Sequence, residues 1–211
     1  MRERLFSVLY MFLITLCFTS MVSGVKFLNE ERIERNQRAK LQRIILTVLD
    51  ISTDGDRSEE DLVRIFESRV RSIQVQGRTL YAAYQTDGQT LKGYAFPVGG
   101  PGFWGPIYGM VAVDEKASKI LGISFYKHSE TPGLGGRMTE AWFKDQFAGL
   151  KLYPLDGNRK IFYLKPAGTQ KGPDELDAIT GATQTSRAIE TFLNQELERF
   201  LKEVWISVKK E

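Results

Sequence analysis

A group of hydroxyl-bearing and small residues stands near the C-terminus, where a loop is predicted to lead into a helix. In chain order these residues are Thr180, Gly181, Ala182, Thr183, Thr185 and Ser186. Apolar residues recur at helical spacing from position 188 onward, so we expect the helix to begin between Thr183 and Ser186. The first backbone N–H groups of a helix lack intrahelical partners, and the helix dipole is positive there. The small residues leave room at this end for a phosphate, which would be stabilised.

Ordinary helix capping explains the same residues without a ligand. Ser and Thr are frequent N-caps, and a glycine beside them is common turn chemistry. Local composition alone favours capping, so this set of hydroxyl-bearing residues is a candidate site and not yet an assigned one.

A second group lies in the loop at 128–137, whose sequence is His-Ser-Glu-Thr-Pro-Gly-Leu-Gly-Gly-Arg. It follows a predicted strand over 119–126. His128 and Glu130, two residues apart beyond a strand end, suit an acid/base pair or a pair of hydrogen-bond partners for a bound heterocycle. A plain surface turn is the alternative.

A third loop, at 99–106, is rich in Gly and Pro, and such loops approach ligands closely. It has neither the ending of a P-loop nor the glycine spacing of a dinucleotide-binding turn. Trp104, between glycines, offers an aromatic face to a planar ligand. The alternative for Trp104 is a hydrophobic plug over the sheet.

Three carboxylates precede the hydroxyl group, at Asp174, Glu175 and Asp177. Carboxylates are ligands for hard cations, but this spacing is not that of a calcium loop. A solvated acidic loop is therefore favoured, and no metal site is predicted.

These motifs, in their order along the chain, resemble those of RnfG and NqrC, the flavoprotein subunits of the Rnf and Nqr membrane electron-transport complexes. Residues 180–183 are similar to the Ser/Thr-Gly-Ala-Thr acceptor of that family, with Asp177 ahead of it. Residues 128–135 match the family loop His-x-Glu-Thr-Pro-Gly-Leu-Gly nearly residue for residue. Trp-Gly-Pro loops like 104–106 occur in the Nqr-type proteins. The resemblance extends in outline from the N-terminal apolar segment to Ser186.

The resemblance implies a covalent FMN, joined to Thr183 by a phosphoester bond. It implies that Asp177 belongs to the signal read by a separate flavin transferase, which uses FAD and a divalent metal. It also implies that the loop at 128–135 contacts the flavin region through backbone and short side chains. The candidate cofactor-binding residues are Thr183, Thr180, Gly181, Ala182, Asp177, Trp104, His128, Glu130, Thr131, Leu134 and Gly135.

Residues 5–25 carry no charge and would span about 30 Å as a helix, the thickness of a bilayer core. We predict one transmembrane helix. A secretory signal peptide is the alternative, with a basic start and a cleavage site at 22–24, but the apolar run exceeds the usual signal-peptide core. Basic residues follow the span, so a simple positive-inside count places the domain in the cytoplasm. The resemblance implies the opposite, and we expect a single-pass protein of the inner membrane with its domain on the periplasmic side.

The periodicity of the remaining chain predicts an α+β fold with a mostly antiparallel sheet flanked by helices. A stalk helix is expected up to Leu49, and a capping box of Ser58 and Asp61 predicts a second helix. Strands are predicted at 72–76, 79–85, 91–98, 107–113, 119–126 and 161–164, with a short helix at 141–147. The expected organisation is a transmembrane anchor at 1–26, a helical stalk and connecting helix at 27–70, and an FMN-binding domain at 71–211.

Composition narrows the function further. The 211 residues are 26% charged and 42% hydrophobic, as in a globular protein. The net charge is only +3 and the sequence has no block of like charges, so we do not predict nucleic-acid binding. One Cys and one His cannot form a disulfide framework or a zinc site. Without a dinucleotide fingerprint or a cysteine cluster for iron–sulfur, the chain should neither oxidise NADH nor carry iron alone.

We therefore expect a membrane-anchored electron relay with covalent FMN in an ion-translocating Rnf- or Nqr-type complex, not catalytic alone. Its expected partners are other membrane subunits of the complex and a flavin transferase for maturation. Two alternatives stay open: an extracytoplasmic FMN-binding carrier for another reductase, and a ligand-binding module without redox function.

Overall fold

The computed structural model describes residues 2–51, 58–152, 160–169 and 172–208. The chain divides into two units, Met1–Leu41 and Gln42–Glu211. The expected C-terminal boundary of the FMN-binding domain, residue 211, lies outside the described residues.

Helix α1 runs from Arg2 to Val48. Its residues up to Leu41 form the first unit, and its last residues belong to the second. Its apolar side chains are exposed along the N-terminal part. Within the described residues it is the one helix long and apolar enough to cross a membrane. Farther along, Arg35 pairs with Glu31 and Arg38 with Glu34, one helical turn apart. Such exposed pairs contribute about 0.3–0.5 kcal/mol each.

The second unit is built on a five-stranded antiparallel sheet whose strand order follows the chain. The strands are β1 (Val70–Val75), β2 (Arg78–Tyr84), β3 (Leu91–Pro101), β4 (Pro106–Asp114) and β5 (Ile120–Lys127). The predicted α+β fold with a mostly antiparallel sheet is confirmed. The first five of the six predicted strands agree with the structure to within a few residues, and the sixth, at 161–164, overlaps a short strand at Tyr163–Lys165.

One face of the sheet is covered by the end of α1. Met110 and Ala112 of β4 share this face, because residues two apart in a strand point to the same side, and both are buried. Gly122 of β5 lies opposite Ala112, and a Cβ atom there would be 2.7 Å from the carbonyl oxygen of Val48. Helix α2 (Glu59–Arg69) lies beside the same layer and begins as predicted, with Ser58 Oγ accepting from Asp61 N at 3.2 Å.

The opposite face carries helix α4 (Thr183–Arg199), continued by a π-helical segment (Phe200–Trp205) and a last short helix, α5 (Ile206–Val208). Phe96 of β3 and Phe200 stack with ring centroids 4.1 Å apart. A Cβ atom on Gly100 would lie 2.3 Å from Phe192 Cβ, so only glycine allows β3 and α4 to approach this closely. The main hydrophobic core lies between the sheet and α4.

The segment between β5 and α4 differs from the prediction in two places. The predicted helix at 141–147 is α3 (Ala141–Lys144) followed by a 3-10 turn (Asp145–Phe147). Residues 175–177, predicted as part of a loop, form β7 (Glu175–Asp177), which pairs in parallel with β6 (Tyr163–Lys165). A three-residue strand has no periodicity of its own, and its partner is distant in sequence.

We predict that Asn194→Ala lowers the free energy of unfolding by about 1–3 kcal/mol, because buried backbone groups lose their partner. Asn194 Oδ1 accepts from Ile161 N at 2.7 Å and Phe162 N at 3.2 Å, and Nδ2 donates to Phe162 O at 3.0 Å. Urea denaturation of the full chain in detergent, followed by tryptophan fluorescence, measures the change. The exposed Gln195→Ala on the same helix is the control, and equal stability of the two variants would contradict the prediction.

Candidate functional site

Helix α4 begins at Thr183, within the predicted range. The residue before it, Ala182, has φ −128° and ψ 53° and offers no capping side chain. Gly181 has φ +79°, a left-handed conformation that favours glycine. Among the residues that the structure describes, no side chain caps this helix start, so N-capping does not account for these hydroxyls. Within the described ranges, no side chain accepts from the N–H groups of the first turn.

The hydroxyl groups near this helix start fall into two classes. Thr185 and Ser186 are buried: the Thr185 hydroxyl donates to Glu130 Oε2 at 2.7 Å, and Ser186 Oγ accepts from Ile179 N at 3.0 Å. Thr180 and Thr183 are exposed. Of these two, Thr183 is the one on the first turn of the helix. Within the described part of the chain, its hydroxyl makes no hydrogen bond.

Glu130 joins the three motifs that the sequence singled out. It follows β5, and its side chain is only 4% exposed. Oε1 accepts from the backbone N–H groups of Phe103 at 2.7 Å and Trp104 at 3.0 Å, while Oε2 binds Thr185. One carboxylate thus connects the Gly-rich loop at 99–106, the loop at 128–137 and the first turn of α4.

His128 is half-buried and hydrogen-bonds within its own loop. Its Nδ1 accepts from Glu130 N at 3.2 Å, so the contact is to the backbone of Glu130 and not to its carboxylate. Within the described residues, no hydrogen bond joins the two side chains, and their use as an acid/base pair stays a prediction. The role of each in holding a cofactor remains a prediction.

The glycines of the loop at 128–137 allow it to lie directly against α4. A Cβ atom on Gly135 would be 2.5 Å from Thr185 Oγ1. Leu134 is half exposed, and its Cδ2 lies 3.2 Å from the point that a Cβ atom on Gly181 would occupy. The Thr131 carbonyl accepts from Leu134 N and Gly136 N, which closes the turn. The structure thus brings Leu134 and Gly135 to the start of α4, while Thr131 closes the turn that holds them.

An exposed aromatic pair forms one side of the site. Phe103 is 56% and Trp104 66% exposed, and their rings meet edge to face with centroids 5.0 Å apart. This exposure excludes the alternative of Trp104 as a plug over the sheet. Beside the pair, a cavity of about 350 Å³ separates the loop from α4. Its lining residues are Pro101, Gly102, Phe103, Gln184, Arg187, Ala188, Thr191, Phe192 and Gln195.

Asp177 lies on β7, ahead of the exposed hydroxyls. Its backbone N–H donates to Gln146 Oε1 at 2.6 Å, which ties the strand to the turn after α3. Its proposed part in a transferase signal stays a prediction. Across the described residues, no group of three or more His, Cys, Asp or Glu is placed to hold a metal ion.

The candidate cofactor residues drawn from the sequence omitted Gly102 and Phe103 of the Gly-rich loop and Thr185 of the hydroxyl-bearing segment. All three contact or face Glu130, and a Cβ atom on Gly102 would lie 2.6 Å from its Oε1. The signal in the sequence was a carboxylate flanked by Gly-rich segments. That pattern does not say which backbone N–H groups will bind the carboxylate.

Residues 102–198 match the family model of the FMN-binding domain. The matched range begins in the loop of Phe103 and Trp104 and extends through Glu130 to the end of α4. The family region therefore contains residues 102–106 of the first Gly-rich loop, the whole second loop at 128–137 and the start of α4.

The curated relatives include NqrC, a subunit of the Na(+)-translocating NADH-quinone reductase, from several bacteria. The chain is 32% identical over 108 residues to NqrC of Yersinia pestis, covering 51% of this chain and 41% of the relative. It is 30% identical over 141 residues to NqrC of Vibrio alginolyticus, covering 67% and 54%. The chain spans about half the length of the curated relatives it matches.

Solved structures agree in fold. NqrC of Shewanella oneidensis superposes with a TM-score of 0.70 at 23% identity, covering 83% of this chain and 99% of the other. The corresponding subunit of the Na(+)-translocating NADH-quinone reductase from Parabacteroides distasonis gives 0.67 at 23% identity, covering 82% and 95%. The resemblance to FMN-binding subunits of the Nqr and Rnf type, drawn from the sequence, is confirmed.

We expect Gly135→Ala to lower the free energy of unfolding by about 1–3 kcal/mol, the usual cost of inserting a methyl group into a packed region. The added Cβ would lie 2.5 Å from Thr185 Oγ1 and 2.7 Å from Glu130 Oε2. Chemical denaturation of the full chain in detergent provides the measurement.

Gly105→Ala is the matched control, since its Cβ would lie 3.3 Å from the Ser129 hydroxyl, which can rotate away. This control should stay within about 0.5 kcal/mol of the unmodified chain. If both variants lose similar free energy of unfolding, the close contact between Gly135 and α4 is not the reason that residue 135 must be glycine.

Proposed function

We propose that this chain is a membrane-anchored flavoprotein that relays electrons through an FMN bound covalently to Thr183. The observation that carries the proposal is the difference between the hydroxyls at the start of α4. Thr183 is exposed on the first turn, whereas Thr185 and Ser186 are buried and hydrogen-bonded. A group attached to Thr183 needs no rearrangement of the core.

The residues at this helix start fit a flavin mononucleotide. A phosphate on Thr183 would lie at the positive end of a 17-residue helix, worth about 0.3–1 kcal/mol per charge. Arg187, one turn farther along α4, is exposed and supplies a cation. Phe103, Trp104 and Leu134 present the apolar surface that a flat ring requires. FMN, when bound, supplies one- and two-electron redox chemistry, and the protein positions it.

Attachment requires a separate transferase, because a threonine hydroxyl is a weak nucleophile at neutral pH. His128 Nδ1 accepts from the Glu130 backbone, and no hydrogen bond joins His128 to Thr183 among the described residues. In the proposed step, the Thr183 Oγ1–P bond forms and the P–O bond that joins the two phosphates of FAD breaks. AMP leaves, and the hydroxyl proton passes to a base of the transferase. Asp177, on β7, is proposed as part of the surface that this enzyme recognises.

The anchor is proposed to be the apolar part of α1. Its side chains are exposed over the length of a bilayer core, which is costly in water and favourable in lipid. We propose an anchor at 1–26, a stalk and connecting helix at 27–70, and an FMN-binding domain at 71–211. The domain is proposed to lie on the periplasmic side of the inner membrane.

The partners are proposed to be the other subunits of an Nqr- or Rnf-type ion-translocating oxidoreductase. The relatives are named as one subunit of a Na(+)-translocating NADH-quinone reductase. The sequence has no dinucleotide fingerprint, so we propose that electrons enter and leave through neighbouring subunits. The second candidate is an FMN-binding carrier for another extracytoplasmic reductase, because the matched family model names an FMN-binding domain and no particular complex.

Protein co-expressed with a flavin transferase should carry an FMN adduct on the peptide that contains Thr183, as measured by mass spectrometry. Thr183→Val should remove the adduct because it deletes the hydroxyl and keeps the shape of the side chain. Thr180→Val is the control and should retain the adduct, although its hydroxyl is equally exposed. An adduct that persists in Thr183→Val, or maps to Thr180, would refute the assignment.

The orientation is testable with a reporter enzyme fused after Glu211 that needs disulfide bonds to be active. Such bonds form in the periplasm and are rare in the cytosol. We expect high reporter activity in the full chain. Fusion of a cytosolic reporter at the same position is the control, and activity of that reporter alone would place the domain in the cytoplasm.

A further inference from the structure

The carboxylate of Glu130 is enclosed by groups that come from three separate segments. Gly102 and Gly135 lie against its two oxygens, and a Cβ atom would come within 2.6 Å of Oε1 on the first and 2.7 Å of Oε2 on the second. Any side chain at either position would push the carboxylate away from its donors. The two glycines therefore permit the backbone of both loops to close around one acceptor.

Its three hydrogen-bond donors are all neutral: two backbone N–H groups and the hydroxyl of Thr185. Burial of a carboxylate is costly unless hydrogen bonds replace its water. Thr185 is the third residue of α4, so the charge also lies near the positive end of that helix. Because each donor offsets part of the desolvation cost, a loop that moved away would leave the carboxylate poorly compensated.

We propose that Glu130 is a positioning residue: it holds the Phe103–Trp104 pair in a fixed place against the turn of α4 that carries Thr183. It does so by the reach of its side chain, which spans from the loop at 128–137 to both other segments. Glu130 is buried and both of its oxygens already hold protein donors, so it acts on the cofactor through the aromatic pair and not by contact. That last point rests on the proposed function, whereas the bracing does not.

Two substitutions separate the reach of the side chain from its charge. Glu130→Gln keeps the length, and its amide oxygen can still accept from Phe103 N and Trp104 N while its NH₂ faces Thr185 Oγ1. Glu130→Asp keeps the charge but is one methylene shorter, so its carboxylate cannot meet all three donors. If reach matters, the amide variant preserves the loop and the shorter acid loosens it.

Amide hydrogen exchange of the full chain in detergent, without and with FMN attached, measures the bracing directly. In Glu130→Asp we expect the Phe103 and Trp104 amides to exchange about tenfold faster or more, the factor for losing one hydrogen bond to a charged group. In Glu130→Gln the same amides should exchange more slowly than in Glu130→Asp, because the amide oxygen still accepts from both N–H groups. Amides of β4 serve as the internal reference, and Leu134→Ala as the control in the same loop should leave Phe103 and Trp104 protected.

Protection in Glu130→Asp would overturn the inference, and so would fast exchange in Glu130→Gln or in Leu134→Ala. These outcomes are independent of the proposed function. If the unmodified chain takes no FMN, the proposed function fails and the exchange rates still decide the role of Glu130. If FMN is found on Thr183 while Glu130→Asp stays protected, only the bracing is wrong.

Discussion

A buried carboxylate must be matched by donors, and this requirement decides how the two Gly-rich loops meet helix α4. Glu130 takes its donors from Phe103, Trp104 and Thr185, so none of the three segments can move without breaking a bond to a charged group. The same arrangement keeps the Thr185 hydroxyl inside the protein. Thr183 is left outside, on the first turn of the helix.

The sheet and α4 supply the rigid frame that this bond needs. Gly100 lets β3 approach Phe192 on α4, and Phe96 stacks on Phe200 farther along. An aromatic pair of this kind adds about 0.5–1.5 kcal/mol beyond the area that it buries. Because β3 ends at Pro101, directly before the aromatic pair, the contact between β3 and α4 also fixes where the loop of Phe103 and Trp104 begins.

Local sequence signals predicted the local parts of this structure. The Ser58–Asp61 cap, the alternating strands and the start of α4 all depend on neighbouring residues, and the structure confirms them. Strand β7 was missed because it forms only through pairing with β6. The role of Glu130 was missed for a related reason: its partners lie 26 to 55 residues away, and backbone N–H groups carry no signature in the sequence. Thr183 was identified as the attachment residue by resemblance to a known family. The structure adds that the neighbouring hydroxyls of Thr185 and Ser186 already make hydrogen bonds within the protein.

The central claim is that Thr183 carries the flavin while Glu130 holds the surrounding loops from within. A crystal or cryo-electron microscopy structure of the full chain after maturation by a flavin transferase tests both parts at once. We predict density that continues from Thr183 Oγ1 into a phosphate, with the Glu130 carboxylate still bound to Phe103 N, Trp104 N and the Thr185 hydroxyl. Density that begins at another residue, or a Glu130 carboxylate turned out of these bonds toward the ligand, would contradict the account.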